Sequence, residues 1–234
     1  MANLKSDPLF DLIKSLTQTE KRHFRLFVNR SGNTDDVKFI KLFDAMESSK
    51  IYDDKKILNK VLSIKKSQFS NQKANLYKQI LSSLRHYHIG QNVDIQLREN
   101  LDHAKVLYNK SFYQQALKML GKTKTLAQDT KHFIIALEAI EFEKLIESEY
   151  ITRSIENRAE ELTKEVNLTT QKIASAHQLS NLSLNLYSLF LKNGYAKTEE
   201  EFNSVGLYFE SNLPTVDLEE LSFYEKLYYH QAHV

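Results

Sequence analysis

An all-α fold is predicted by three features of the sequence: scarce turn residues, apolar residues at helical spacing, and few strand signals. The 234 residues include five Gly and two Pro. Because so few residues can form tight turns, long helices with short connections are favoured. Apolar residues recur three and four positions apart, as on one face of a helix. Hydrophobic residues make up 41% of the chain, which is enough to form a core.

Residues 1–90 are predicted to form an N-terminal helical module. Asp7 and Pro8 indicate the start of a first helix, since Asp is a good N-cap and Pro fits the first turn. Thr17 and Glu20 have the spacing of a capping box at the start of a second helix. Three more helices are expected at about 35–49, 53–62 and 66–89.

The segment 97–128 is predicted to form two antiparallel helices joined by a tight turn. The apolar positions are Leu97, Leu101, Ala104, Leu107 and Tyr108, then Tyr113, Ala116, Leu117, Leu120 and Thr123. Asn109 to Ser111 interrupt this pattern. Because Asn tolerates left-handed backbone geometry and Ser caps helices, a turn is expected there.

This hairpin resembles a tetratricopeptide repeat (TPR). Ala104, Leu107, Ala116 and Leu120 stand where that family places its small and large packing residues. The sequence departs from the family at Asn100, Thr123 and Gln128. The resemblance implies stacked helical hairpins whose first helices line a concave groove. An ordinary helical hairpin is the alternative.

Residues 91–234 are predicted to contain about three such hairpins plus one unpaired helix. The second hairpin is expected at about 131–149 and 154–166, and the third at about 170–192 and 198–211. A last helix is expected to start near Asp217, after Pro214. Three hypotheses explain an unpaired last helix: the chain is part of a longer array, the chain dimerises there, or the helix folds back. The first is favoured, since the chain is similar to the N-terminal part of longer bacterial helical-repeat proteins of unassigned activity.

A soluble, cytoplasmic protein is predicted. The chain has no Cys, which excludes disulfides, thiolate zinc sites and thiol nucleophiles. Its first residues lack the continuous apolar stretch of a signal peptide. No apolar run approaches the roughly 20 residues of a membrane-spanning helix.

The sequence favours a protein that is not an enzyme and needs no cofactor or metal. Its five glycines are far apart, whereas phosphate-binding loops need clustered glycines. His86 and His88 are two positions apart and are expected to point in different directions, and His230 and His233 have no evident third metal ligand. The carboxylates of 138–149 are expected to lie on solvated helix faces.

The leading hypothesis is a scaffold or adaptor that binds a protein or peptide. If Ala104 packs inward, a polar stripe lies on the first helix of the TPR-like hairpin. The predicted partner-binding residues are Arg98, Lys105, Tyr108 and Asn109. Two cations in that stripe suit an acidic peptide or a C-terminal carboxylate.

The alternative hypothesis is a nucleic-acid-binding regulator. Residues 1–128 carry a net charge of +11 and residues 129–234 a net charge of −9. Segment 55–124 has 14 Lys and Arg against three acidic residues, and a basic face can follow a phosphate backbone. The predicted basic surface comprises Lys65, Lys66, Lys73, Lys78 and Arg85. A solvated face, or a surface that matches the acidic half of another copy, is the other interpretation.

Overall fold

The computed structural model describes residues 7–30, 34–149 and 157–233. These residues form α-helices and one 3-10 turn (Lys66–Gln68) and contain no strand, which confirms the all-α prediction. The helices are α1 (Pro8–Ser15), α2 (Gln18–Asn29), α3 (Thr34–Ser48), α4 (Asp54–Lys60), α5 (Phe69–His88), α6 (Val93–Asn109), α7 (Tyr113–Asp129), α8 (Phe133–Glu149), α9 (Arg158–Asn193), α10 (Glu199–Asn212) and α11 (Phe223–Ala232). Within this described part, none of the helices has the length and apolar composition needed to cross a membrane.

The chain divides into two compact units, Met1–Ile95 and Gln96–Val234. Unit 1 contains α1 to α5, and unit 2 contains most of α6 and all later helices. The domain boundary expected after residue 90 stays a prediction.

The helix starts of unit 1 follow the local capping signals. The carboxylate of Asp7 accepts hydrogen bonds from the backbone N–H groups of Leu9 and Phe10, at 3.1 and 3.0 Å. Thr17 and Glu20 form the predicted capping box. These side chains satisfy backbone donors that have no partner inside the helix, so each helix begins where the sequence predicts.

Unit 1 has a continuous apolar core. Phe24 of α2 stacks against Phe43 of α3 with ring centroids 4.7 Å apart, and both are essentially inaccessible. The remaining buried members come from all five helices, α1 to α5, and the connections between them. At the edge of this core, the side chain of Lys21 is 11% exposed and its ammonium lies 3.2 Å from the carboxylate of Glu47.

In unit 2, α6 and α7 end in the same way. Ser111 and Lys131 have positive φ angles of 64° and 61°. In each case the next residue donates its N–H to a carbonyl five positions back, Phe112 to Leu107 at 2.9 Å and His132 to Ala127 at 2.7 Å. This is the Schellman arrangement that ends helices, with a non-glycine residue in the left-handed position.

The predicted turn after α6 therefore lies where expected, but its residues play different roles. Asn109 is the last helical residue, and Ser111 adopts the left-handed conformation that was expected of Asn. Ser111 does not cap α7, whose N-cap position is Phe112 without a side-chain hydrogen bond.

The predicted separation of the second and third hairpins is wrong, because α9 is one helix of 36 residues. The expected break between Val166 and Thr170 is absent, and no Gly or Pro occurs in this helix to cause one. Thr169 is buried in this stretch, so the residues between the two predicted helices continue the helix.

The last helix is not unpaired, since α11 packs along α9. It begins at Phe223 rather than near Asp217, after a capping box formed by Ser222 and Glu225. Gln231 of α11 accepts a hydrogen bond from Ser183 of α9, at 3.2 Å. Of the three hypotheses for the last helix, folding back is the one that describes its position.

Candidate partner-binding surface

The side chains of Lys105 and Tyr108 on α6 lie against α8. The ring of Tyr108 makes an edge contact with that of Phe142, with centroids 5.4 Å apart. The ammonium of Lys105 lies 5.0 Å from the Tyr108 ring centroid and 4.9 Å from that of Phe142. Both distances are within the range of cation–π attraction, which contributes about 0.5–1 kcal/mol at exposed positions. We call Lys105, Tyr108, Phe142 and Glu149 the α6–α8 cluster.

A hydrogen bond closes the cluster at its C-terminal end. The Tyr108 hydroxyl donates to a carboxylate oxygen of Glu149 at 2.7 Å. This hydrogen bond raises the pKa of Tyr108, since the carboxylate favours the protonated phenol. The hydroxyl therefore stays a donor at neutral pH, and Glu149 keeps further lone pairs for a ligand.

The other two predicted partner-binding residues are on the same helix. Arg98 and Asn109 are both exposed. Arg98, Lys105 and Asn109 are spaced seven and four residues apart, which places them along one face of α6. The structure thus brings Lys105 and Tyr108 into direct contact and leaves Arg98 and Asn109 further along the same helix.

Sequence reasoning missed Phe142 and Glu149 as neighbours of Tyr108. These residues are 34 and 41 positions from Tyr108 in the sequence. If successive hairpins are assumed to stack, α6 is expected to lie next to α8. No short sequence pattern, however, shows that Phe142 is the residue of α8 that meets Tyr108.

A shallow cavity of about 220 Å³ lies next to the turn between α6 and α7. Phe112, Tyr113 and Leu117 line one side, and Ile146 and Glu147 of α8 line the other. Phe112 is 50% exposed. The cavity is large enough for one side chain of a partner rather than for a cofactor.

A buried ion cluster joins α7, α8 and α9. Lys124 lies 3.2 Å from Glu143 and 2.6 Å from Glu165, and Arg158 bonds to Glu143 and Glu161. The expectation that the carboxylates of 138–149 are solvated is wrong for Glu143, which is 7% exposed. Although burial opposes its charge, the hydrogen bonds to Glu143 and Glu161 raise the pKa of Arg158. All charges of this cluster are satisfied within the fold, which assigns it a structural role.

The predicted basic surface is only partly a surface. Lys65, Lys66, Lys78 and Arg85 are exposed, and the seven-residue spacing of Lys78 and Arg85 places them on one face of α5. The prediction is wrong for Lys73, which lies on the other side of α5.

The side chain of Lys73 is 19% exposed and ion-paired with Asp7 at 2.8 Å. Its ammonium also donates to the hydroxyl of Tyr52. Burial opposes the charge, but these two hydrogen bonds raise the pKa of Lys73. Lys73 therefore ties α5 to the start of α1 and is not displayed to a phosphate backbone.

Histidines gather between α2 and α5 in unit 1. His23 lies 3.0 Å from the hydroxyl of Ser83 and 5.8 Å, ring to ring, from His86. His88 points elsewhere and pairs with Glu20 at 3.0 Å. Ser83 is 1% exposed, so its hydroxyl is closed to a substrate. In the described part of the chain, no group of three or more His, Asp or Glu side chains could hold a metal ion.

Comparisons of this chain with protein-family models, with curated proteins and with solved structures find no match.

Proposed function

We propose that the protein is a non-enzymatic scaffold or adaptor that binds a protein or peptide segment across α6 and α8. The α6–α8 cluster is the observation that carries this proposal. It combines an exposed ammonium, two half-buried aromatic rings and an exposed carboxylate on two neighbouring helices. Aromatic and cationic side chains of this kind supply much of the binding energy in protein interfaces.

The residues of the cluster define what the bound segment should carry. An acidic side chain or a C-terminal carboxylate would pair with Lys105, with Arg98 further along the same face of α6. An apolar side chain of the partner would pack on Tyr108 and Phe142. Glu149 would accept a hydrogen bond from the partner's backbone. A segment that is acidic and partly apolar therefore fits best.

The resemblance of segment 97–128 to a tetratricopeptide repeat supports the same proposal. In such repeats the first helix of each hairpin lines the groove that binds peptides, and α6 and α8 would be two consecutive first helices. The contact between Tyr108 and Phe142 fits this arrangement, because it joins these two helices directly.

A pull-down from native lysate tests the proposal, with and without nuclease treatment and with the bound proteins identified by mass spectrometry. We expect a discrete protein that survives nuclease with the unmodified chain and is lost with Lys105→Glu or Tyr108→Ala. Lys118→Glu is the matched control, since Lys118 is exposed on α7 outside the cluster. A partner retained equally by all variants would contradict the proposal.

Nucleic-acid binding through unit 1 is the competing proposal. It is supported by the exposed cations Lys65, Lys66, Lys78 and Arg85 and weakened by the burial of Lys73. If the captured material disappears with nuclease and with Lys78→Glu but not with Lys105→Glu, the competing proposal replaces the first.

A further inference from the structure

The cavity beside the turn between α6 and α7 has room for an aromatic side chain. Its volume is about 220 Å³, whereas an apolar cavity of about 150 Å³ already accepts a benzene molecule. Residues at the start of α7 line one side and residues near the end of α8 line the other. We call it the α7–α8 cavity.

The apolar lining of the α7–α8 cavity favours an aromatic ring over an aliphatic side chain. Two of its lining residues are themselves aromatic, the 50% exposed Phe112 and the half-buried Tyr113. Aromatic rings gain from edge-to-face and offset contacts with one another in addition to the area that they bury. Leu117 is half-buried and Ile146 is 1% exposed, so these two side chains offer aliphatic surface to the faces of an entering ring.

The polar lining residues fit an indole in particular. The exposed side chains of Ser111, Gln114 and Gln115 also line the cavity. Their hydroxyl and amide oxygens are acceptors for an indole N–H, which has a donor and no acceptor. Glu147 lines the cavity as well, and its carboxylate disfavours an acidic side chain inside. An acidic residue of a bound segment therefore belongs at Lys105, outside the cavity.

The α7–α8 cavity is continuous with the α6–α8 cluster. The ring of Tyr113 makes an edge contact with the ring of Tyr108, with centroids 5.7 Å apart. The ammonium of Lys105 in turn lies 5.0 Å from the Tyr108 ring centroid. Two successive contacts thus separate the cavity wall from Lys105. An extended peptide advances about 3.3 Å per residue, so two or three residues of one segment span this separation.

We propose that the α7–α8 cavity anchors an aromatic side chain, best a tryptophan, of the segment that binds the α6–α8 cluster. This inference rests on the proposed function and adds to it the residue type that the partner must carry. Aromatic side chains that fill a pocket next to charged contacts supply much of the binding energy of an interface. The bound segment therefore carries an aromatic residue two or three positions from an acidic one.

Tryptophan fluorescence of a synthetic peptide tests the inference, because the chain itself has no Trp. The probe is acetyl-Asp-Ser-Trp-Ser-Asp-amide, which has an acid on each side of the indole and so suits either direction of binding. We expect a saturable blue shift of the peptide emission when the full chain is added. The same peptide with Phe in place of Trp should compete, and the peptide with Ala should not.

Two variants change the cavity in opposite ways. Phe112→Ala removes an exposed wall, and Leu117→Phe fills the space with the chain's own ring. We expect each to weaken the Trp peptide about tenfold. Ile134→Ala is the matched control, since Ile134 is 64% exposed and lies near the opposite end of α8, about 18 Å from Ile146. Circular dichroism and urea unfolding verify that the variants are folded.

A change at Lys105 separates this inference from the proposed function. Lys105→Glu should weaken the acidic peptide and not a peptide with Asn in place of both Asp residues. No saturable shift, or a shift that persists in both Phe112→Ala and Leu117→Phe, would overturn the cavity inference and leave the α6–α8 proposal to the pull-down. A shift that is lost in these two variants but is indifferent to Lys105→Glu would support the cavity and count against the α6–α8 proposal.

Discussion

Unit 1 and the hairpin of residues 184–212, formed by the end of α9 and by α10 and here called the distal hairpin, are both helical, yet they are built in opposite ways. Unit 1 buries 17 hydrophobic residues in one continuous cluster, whereas the distal hairpin buries none. The helix starts of both regions are well capped, by Asp7 and Thr17 in unit 1 and by Thr198 in the hairpin. Capping thus sets where a helix begins, and only tertiary burial decides whether the helix is stable without a partner.

A cavity in the core of unit 1 should give the largest effect. Phe43→Ala removes a ring that packs on Phe24, and we expect the free energy of unfolding to fall by about 3–5 kcal/mol in urea denaturation. Phe202→Ala, measured at a concentration where the chain is monomeric, should change it by less than about 0.5 kcal/mol. Equal losses from the two variants would mean that the hairpin has a core after all.

The buried ion cluster of unit 2 should give the next largest effect. Glu143→Gln leaves Lys124 paired with Glu165 and Arg158 paired with Glu161. Because a buried carboxylate between the two cations is lost, we expect the free energy of unfolding to fall by about 2–4 kcal/mol. Glu138→Gln, on an exposed position of the same helix, should stay within about 0.5 kcal/mol. If the two variants behave alike in urea denaturation, the cluster does not stabilise unit 2.

Acid should weaken unit 1 through His23. Burial lowers the pKa of His23, and the neighbouring charges of His86 and Arg30 lower it further. Because the pKa of His23 is lower in the folded state than in the unfolded state, the folded state binds fewer protons. The stability that the neutral imidazole allows is therefore present above about pH 6.5 and is lost as pH falls. We therefore expect the free energy of unfolding of unit 1 to fall between neutral and mildly acidic pH.

Urea unfolding followed at several pH values checks this expectation. His23→Gln should make the free energy of unfolding less dependent on pH between neutral and mildly acidic pH. His177→Gln, a change at an exposed histidine of α9, should leave it as it is. Glu20 does not interfere, since its pKa is lowered from a value that is already below this window.

The smallest effect should come from the two left-handed turns of unit 2. Ser111→Gly and Lys131→Gly should each raise the free energy of unfolding by about 0.5–1 kcal/mol, because glycine adopts positive φ angles without steric cost. Ala174→Gly, at an exposed position in the middle of α9, should instead lower it by about 1 kcal/mol. A loss at Ser111 or Lys131 in thermal or urea unfolding would show that these side chains stabilise the turns.

Local signals predicted most of the helices, since caps and helical spacing depend on residues a few positions apart. Asp7, Thr17 and Glu20 are examples. Long-range partners could not be predicted in this way. Lys73 and Asp7 are 66 positions apart, and nothing next to Lys73 distinguishes it from the exposed Lys78. The same limit applies to Glu143, whose partners are on two other helices.

The candidate surface was predicted only in part, because some of its contacts are local and others join distant parts of the sequence. Helical spacing correctly grouped Arg98, Lys105 and Asn109 on one face of α6. The aromatic and acidic neighbours on α8 depend on how two helices stack, which the periodicity of either helix alone does not determine. The continuous α9 was not predicted, because the sequence around Thr169 is polar and does not reveal that Thr169 is buried.

The unbroken α9 limits how this protein can be changed by insertion or deletion. Arrays of separate hairpins gain or lose whole units without disturbing their neighbours. In this chain one rod of about 54 Å (36 residues at 1.5 Å per residue) carries the ion cluster at one end and the distal hairpin at the other. A single residue inserted near its middle would turn one end by about 100° relative to the other. Insertions and deletions in unit 2 are therefore tolerated only in the connections between helices. The length of α9 fixes both the distance and the relative rotation of its two ends.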